Sequence, residues 1–206
     1  MSQLSLRFDI PLALVSPDEL YQNAEAFVEQ LKEDRRFERK SPRASPRSLG
    51  EYFSMWANTL PDGGLIAVGI EDNGEITGCG NLSQSELNER EQTGRIYCPD
   101  ARHETKLVPV TRGDGQADFI LLIRVQYRPD RVVYDSQGHA WTRIGDQKHQ
   151  LSPEERRELE RDKGQVDFEQ EPVPDVSYPD AFDLDRVSQF ARSFRKSRDL
   201  FIRADR

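Results

Sequence analysis

Residues 56 to 79 read WANTLPDGGLIAVGIEDNGEITGC. Within that stretch, Leu65-Ile66-Ala67-Val68-Gly69-Ile70 is a short apolar run bounded by Asp62-Gly63-Gly64 and Asp72-Asn73-Gly74. An apolar run of this length between two turn signals marks a buried strand. Glu75 to Cys79 reads as its returning hairpin partner. Just upstream, Ser48-Leu49-Gly50-Glu51 has the spacing of a capping box. Leu49, Tyr52, Phe53, Trp56 and Ala57 then fall on one face of the helix it starts, so Trp56 belongs to the core. Asn58-Thr59 is expected to close that helix and shape the glycine turn.

Working outward, Ser16-Pro17-Asp18-Glu19 and Ser152-Pro153-Glu154-Glu155 each combine a hydroxyl cap, a proline at the first helical position and an acid at the third. The first predicts a helix from Pro17 to Lys32, with Leu20, Ala24, Phe27, Val28 and Leu31 on one face. The second predicts a helix from Pro153 to Asp162. Arg36 to Lys40 reads as a short strand, and Ser41 to Arg47 as a proline-broken loop. Leu107–Thr111 with Phe119–Gln126, and Arg131–Asp135 with His139–Ile144, read as hairpins around glycine turns. The expected architecture is α+β, a mixed and mostly antiparallel sheet with flanking helices. Residues 1–16 read as an N-terminal extension, 17–163 as the domain, and 164–206 as an acidic, proline-containing linker. A last amphipathic helix closes the chain, carrying Val187, Phe190, Ala191 and Phe194.

Charged residues make up 32% of the chain and hydrophobic ones 35%, so the core must be economical and part of the chain is tail or linker. No run approaches the length a membrane helix needs, and no secretory leader is expected. Cys79 and Cys98 are too few for a disulfide framework or a four-thiolate zinc site, which suits a reducing, cytoplasmic setting. His103, His139 and His149 lack paired-ligand spacing. The net charge of −8 argues against a general polyanion binder, but the charge is segregated. Arg35, Arg36, Arg39, Lys40, Arg43 and Arg47 face one acid, Glu38, across thirteen residues, whereas residues 165–185 hold seven acids and no base. Phosphate affinity follows the local cluster rather than the total.

Five motifs occur in order. Glu33-Asp34-Arg35-Arg36-Phe37-Glu38-Arg39-Lys40 resembles the E-x4-E-F-K segment of the Schlafen AlbA_2 family. Trp56-Ala57-Asn58-Thr59 with Gly63-Gly64 resembles its A-N-T-x-G-G motif, and Gly69-Ile70-Glu71-Asp72-Asn73-Gly74 its G-V-D-D-x-G turn. Ile76-Thr77-Gly78 and Trp141-Thr142-Arg143-Ile144-Gly145 resemble its following strands. Arg39 stands where the family has Phe, and Leu60-Pro61-Asp62 lengthens the turn before the double glycine. The resemblance implies an AlbA_2-like fold and nucleic-acid binding. In the ribonuclease members both Glu of E-x4-E and the last Asp of G-V-D-D hold a metal, which implies Glu33, Glu38 and Asp72 here. Carboxylates suit Mg²⁺ or Mn²⁺ and the activation of a water or a 2′-hydroxyl. Arg35, Arg36, Arg39, Lys40, Arg43 and Arg143 are then expected to hold phosphate.

Each residue also has a plainer reading. Glu33 is a solvated helix end, Glu38 between Arg36 and Lys40 an ion pair, and Asp72 a turn former before Asn73-Gly74. Tyr134 and Trp141 suit cross-strand packing as well as base stacking. The leading expectation is a divalent-metal-dependent endoribonuclease on structured, tRNA-like RNA, with RNA favoured over DNA. The alternative is a non-catalytic DNA-binding module, the N-terminal part of a larger bacterial regulator or ATPase-linked protein. A third reading places the acidic tail in the basic groove as a nucleic-acid mimic. A homodimer, and a protein partner for the C-terminal tail, accompany these expectations.

Overall fold

The computed structural model describes residues 14–28, 30, 32–164, 183 and 185–192. Leu31, Phe194, the extension before residue 14 and most of the acidic stretch lie outside the described residues. The chain divides into two units, residues 1–166 and 167–206. In the second unit, residues 185–192 are helical, with the Asp183 carboxylate accepting from Arg186 N. No helix among the described residues is long and apolar enough to cross a membrane.

In the first unit a four-stranded sheet has the order β1-β2-β4-β3. β1 (Phe37–Lys40) runs parallel to β2 (Gly64–Val68), with Glu38 opposite Ile66 and Lys40 opposite Val68. β2 is antiparallel to β4 (Ala117–Val125), and β4 to β3 (His103–Thr111), so the sheet is mixed and mostly antiparallel. α3 (Pro46–Asn58) is the crossover that the parallel pair requires. Strand alternation separates two cores. Ile66, Val68, Leu121 and Ile123 pack with Leu49, Phe53 and Trp56 of α3, while Leu65, Ala67, Ile120 and Leu122 pack with Leu20 and Ala24 on the other face.

Several elements depart from expectation for local reasons. The first helix is two: α1 (Pro17–Gln22) and α2 (Ala24–Phe27). Asn23 divides them: its backbone N–H still makes the helical bond to Glu19 O at 3.1 Å, but its side-chain amide donates to the same oxygen at 3.0 Å and its φ of −106° and ψ of 29° leave the helix. α3 begins one turn earlier than the capping-box spacing suggests: Ser45 accepts from Ser48 N at 3.2 Å and Pro46 holds the first position. Residues 75–79 do not form a hairpin strand with β2, because β1 and β4 already take both of its edges. They contribute only an Ile70–Ile76 bridge past its end. Likewise, 131–135 meets 139–144 in a single Tyr134–Ala140 bridge, and β5 (Trp141–Ile144) pairs instead with β6 (Gln147–Gln150). Two helices without expectation, α4 (Gln84–Glu91) and α5 (Thr93–Tyr97), follow β2, and α4 starts on a Ser83/Glu86 capping box. α6 (Pro153–Asp162) has the expected bounds.

Asn58, at the end of α3, does more than close a helix. Its buried amide donates to Val133 O at 2.8 Å and Trp141 O at 3.1 Å, and its Oδ1 accepts from Val133 N at 2.9 Å. Lys163, just past α6, donates to the same Oδ1 at 2.9 Å and to Arg131 O at 2.9 Å. Burial pushes the Lys163 ammonium down to about 8 from the ordinary 10.5. The unfolded chain therefore binds a proton that the fold disfavours between those values, and this group's contribution to stability rises with pH through that window. Urea unfolding should accordingly show wild type gaining on Lys163→Met as pH goes from about 8 to about 10.5. A difference that stays constant, or moves the other way, would contradict this account.

Candidate nucleic-acid interface

β1 is an edge strand, and its two sides carry different tasks. Arg36 O and Lys40 O accept from Leu65 N (2.7 Å) and Gly69 N (2.8 Å), which leaves the backbone groups of Phe37 and Arg39 on the outer edge while the Phe37 ring is buried in the core. Residues 33–34 fold back over that edge: Asp34 N donates to Phe37 O at 3.2 Å, and the Glu33 carboxylate accepts from Arg39 N at 3.0 Å. An edge so covered offers no free ladder to another strand.

Glu38 and Lys40 share the face that packs on α3. Glu38 is 7% exposed and takes two cations: Arg143 Nη1 at 2.6 Å and Lys40 Nζ at 2.7 Å. The Arg143 guanidinium crosses over from β5, lies 4.9 Å above the Trp56 ring, and donates through Nη2 to Asp34 O at 2.8 Å. Its own backbone N–H donates to Thr59 Oγ1 at 2.9 Å. Arg143 thus joins β5, the end of α3 and the segment before β1. Burial alone would lower the Lys40 pKa, but the hydrogen bond and charge of Glu38, with Tyr52, outweigh it and hold the ammonium above its usual value.

Outside this buried pair lies a half-buried row of aromatic and basic groups. The Tyr52 ring sits between Lys40 Nζ, 4.7 Å from its centroid, and Lys148 Nζ, at 4.8 Å. Lys148 is also 4.6 Å from the Trp141 centroid and is paired with Glu51. Trp141 is oriented by its indole N–H donating to Asp135 at 2.8 Å, and the exposed Arg47 stands in the first turn of α3. Tyr52 reads from the sequence only as one of the helix's core-face residues, and Lys148 in the polar Gln147-Lys148-His149-Gln150 has no signal at all.

The expected phosphate-binding residues are dispersed. Arg35 is exposed before β1 and lines a cavity of about 190 Å³ with Leu60 to Gly63. Arg36 is buried, donating to the Asp34 carboxylate and to Val15 O. Arg39 lies against the 71–74 turn, where a Cβ on Gly74 would stand 2.9 Å from Arg39 Nη1. Arg43 is exposed on the β1–α3 loop. Arg143 is inward, as described.

The three acids are placed apart in role. Glu38 is the buried ion-pair centre, Glu33 the exposed edge cover, and Asp72 an exposed residue of the turn past β2. Its neighbour Glu71 is the one held inward, accepting from Ser41 and Thr77 hydroxyls at 3.1 Å each. Among the described residues no three His, Cys, Asp or Glu side chains are grouped to hold a metal ion. With both Glu38 oxygens engaged by cations, the three acids as they stand do not fit one divalent ion.

A protein-family model described as Schlafen, AlbA_2 matches residues 33–152. No curated protein matches the sequence. Among solved structures, the DIP2311 protein from Corynebacterium diphtheriae is similar at a TM-score of 0.50 and 19% identity. The similarity covers 71% of this chain and 29% of that one, so this chain spans less than a third of that protein's length. At that identity the likeness speaks for the fold alone.

Removing one partner of a buried pair strands the other charge. Glu38→Ala should therefore lower the unfolding free energy by about 3 kcal/mol or more, and adding Arg143→Met should restore part of the loss. Urea titrations of the three proteins check this, and a Glu38→Ala chain as stable as wild type would overturn it.

Proposed function

This chain belongs to the Schlafen AlbA_2 family, and from that premise we propose that it is a nucleic-acid-binding module whose gripping surface is the row Lys40, Tyr52, Lys148 and Trp141 with Arg47 beside it. The observation that carries this reading is the Tyr52 ring held between two ammonium groups. Ammonium groups supply sequence-independent attraction to phosphate, and half-buried aromatic rings beside them supply faces on which bases stack. Glu38 and Arg143 serve that surface from below: their pair fixes β5 against β1 and so fixes Trp141 and, through the β5–β6 turn, Lys148. Contacts of this kind read backbone and shape rather than base edges.

A second reading rests on one observation: Glu33 and Glu38 are both anchored on β1, Glu33 through Arg39 N. In that reading they act with Asp72 in an Mg²⁺- or Mn²⁺-dependent endoribonuclease on tRNA-like RNA, which requires Arg143 to release Glu38. Since Glu38→Ala is expected to destabilise the fold, the discriminating variants are Glu33→Gln and Asp72→Asn, both at exposed positions. Cleavage of labelled tRNA with Mn²⁺ that disappears in Asp72→Asn would establish the nuclease and displace the binding-module reading. Its absence in wild type would dismiss the nuclease.

For the binding module, fluorescence anisotropy should give salt-sensitive binding to oligonucleotides that EDTA leaves unchanged. Lys148→Ala should weaken it and reduce the slope of log Kd against log salt by about one. Salt-insensitive binding, or a Lys148→Ala protein that binds as wild type, would contradict the assignment.

A further inference from the structure

Beyond the end of β1 and β2, a cavity of about 500 Å³ opens between the β1–α3 loop, the turn after β2, α4 and the β3–β4 turn. Three arginines, Arg43, Arg90 and Arg112, and two acids, Glu71 and Glu86, are among its lining residues. Arg90 is the unusual member. It is 6% exposed, donates to Glu86 O at 2.8 Å and to Pro42 O at 2.7 Å, and its Nε is buried without a hydrogen-bond partner. Both of its acceptors are neutral carbonyls; Glu86, one turn earlier on α4, feels the Arg90 charge but forms no ion pair with it. A buried charge without a direct ion pair is costly, and an anion in the cavity offsets that cost.

The acids nearby are committed elsewhere. Glu86 accepts from Ser83 N and Oγ at 2.8 and 2.7 Å in the α4 capping box, and Glu71 accepts from Ser41 and Thr77. Arg112 is paired on its own turn with Asp114 at 3.2 Å and Asp118 at 3.8 Å. Arg43 is exposed and, like Arg90, has no ion pair among the described residues. Two guanidinium groups without acid partners, one rigid and one free to swing, suit the bidentate recognition of a phosphate ester.

We propose that the Arg43–Arg90 cavity is a second anion site that takes a phosphate ester, supplied by a nucleic-acid strand that continues past Lys40. The need for an anion follows from the cavity itself; the strand as its source rests on the binding-module reading above. Arg43 lies three residues beyond Lys40, on the turn that follows β1 and is closed by Ala44 N donating to Ser41 O at 2.9 Å.

The test compares full-length wild type, Arg43→Glu, Arg90→Met and Lys148→Ala. Anisotropy with fluorescein-labelled single-stranded and duplex RNA and DNA forms one arm, and calorimetry with inorganic pyrophosphate and AMP the other. The proposal expects Arg43→Glu and Arg90→Met each to weaken oligonucleotide binding several-fold and lower the salt slope by about one. If Arg90→Met fails to fold, Arg43→Glu at its exposed position still decides. Weakening by Lys148→Ala alone, with both arginine variants binding as wild type, would overturn the cavity proposal and leave the module standing. Pyrophosphate or AMP binding that needs Arg90, without any oligonucleotide binding, would support the phosphate site, identify a free nucleotide as its source and remove the module. Binding of neither class would overturn both.

Discussion

The pair between Glu38 and Arg143 joins the edge strand of the main sheet to the β5–β6 ribbon, which Ser54, Asn58 and Thr59 also hold against α3. Arg143 comes from a two-stranded ribbon outside the main sheet, and Glu38 from the short edge strand of that sheet. Their contact is sealed by the Trp56 ring on one side and the Asp34 carbonyl on another. Around it, Thr59 Oγ1 accepts from the Arg143 backbone N–H, the Asn58 amide donates to the Trp141 and Val133 carbonyls and accepts from Val133 N, and Lys163 ties the segment after α6 to Asn58. The result is a chain of buried polar contacts running from β1 to the end of α6, in which Arg143 Nε and Trp56 Nε1 stay without a hydrogen-bond partner. Networks of this kind are costly when half made and specific when complete, so each member constrains the rest.

The same pair explains how an acidic protein presents a basic surface. One carboxylate beneath two cations leaves one positive charge in excess at the α3 face; Lys148, next to Tyr52 and Trp141, is balanced by Glu51, and the exposed Arg47 adds to the excess. The Tyr52 and Trp141 rings help hold the two ammonium groups, which also pair with Glu38 and Glu51. The total of −8 describes the whole chain, including the acid-rich 165–185 stretch, and says little about the potential at this face.

Much of the framework was legible in residue patterns. The apolar run 65–70, the β3–β4 hairpin and the Ser-Pro-Glu-Glu start of α6 carried clear local signals, and the ordered motifs carried the family. What escaped depended on tertiary competition. Residues 75–79 look like a strand until β1 and β4 are seen to occupy both edges of β2. Ser45 outcompetes Ser48 as the α3 cap because Pro46 follows it, which leaves Glu51 to pair with Lys148. β6 is four polar residues recruited by pairing alone. At the site, the plain ion-pair reading of Glu38 had the right neighbour in Lys40, but its second partner lies over a hundred residues away and no local pattern announces it. The basic cluster 35–47 was legible as charge, yet its members fall on different elements: Arg35 and Arg36 before β1, Arg39 and Lys40 on opposite faces of it, Arg43 on the following turn and Arg47 on α3.

The central claim is that Glu38 is spent on Arg143 and Lys40 rather than open to a cation. Mn²⁺ titration followed by residue-resolved NMR relaxation tests it directly, since the ion broadens only nuclei close to where it binds. The account predicts no broadening centred on Glu38 and an Arg143 side chain whose signals are unmoved. Selective broadening that converges on Glu33, Glu38 and Asp72, with the Arg143 guanidinium released, would contradict it.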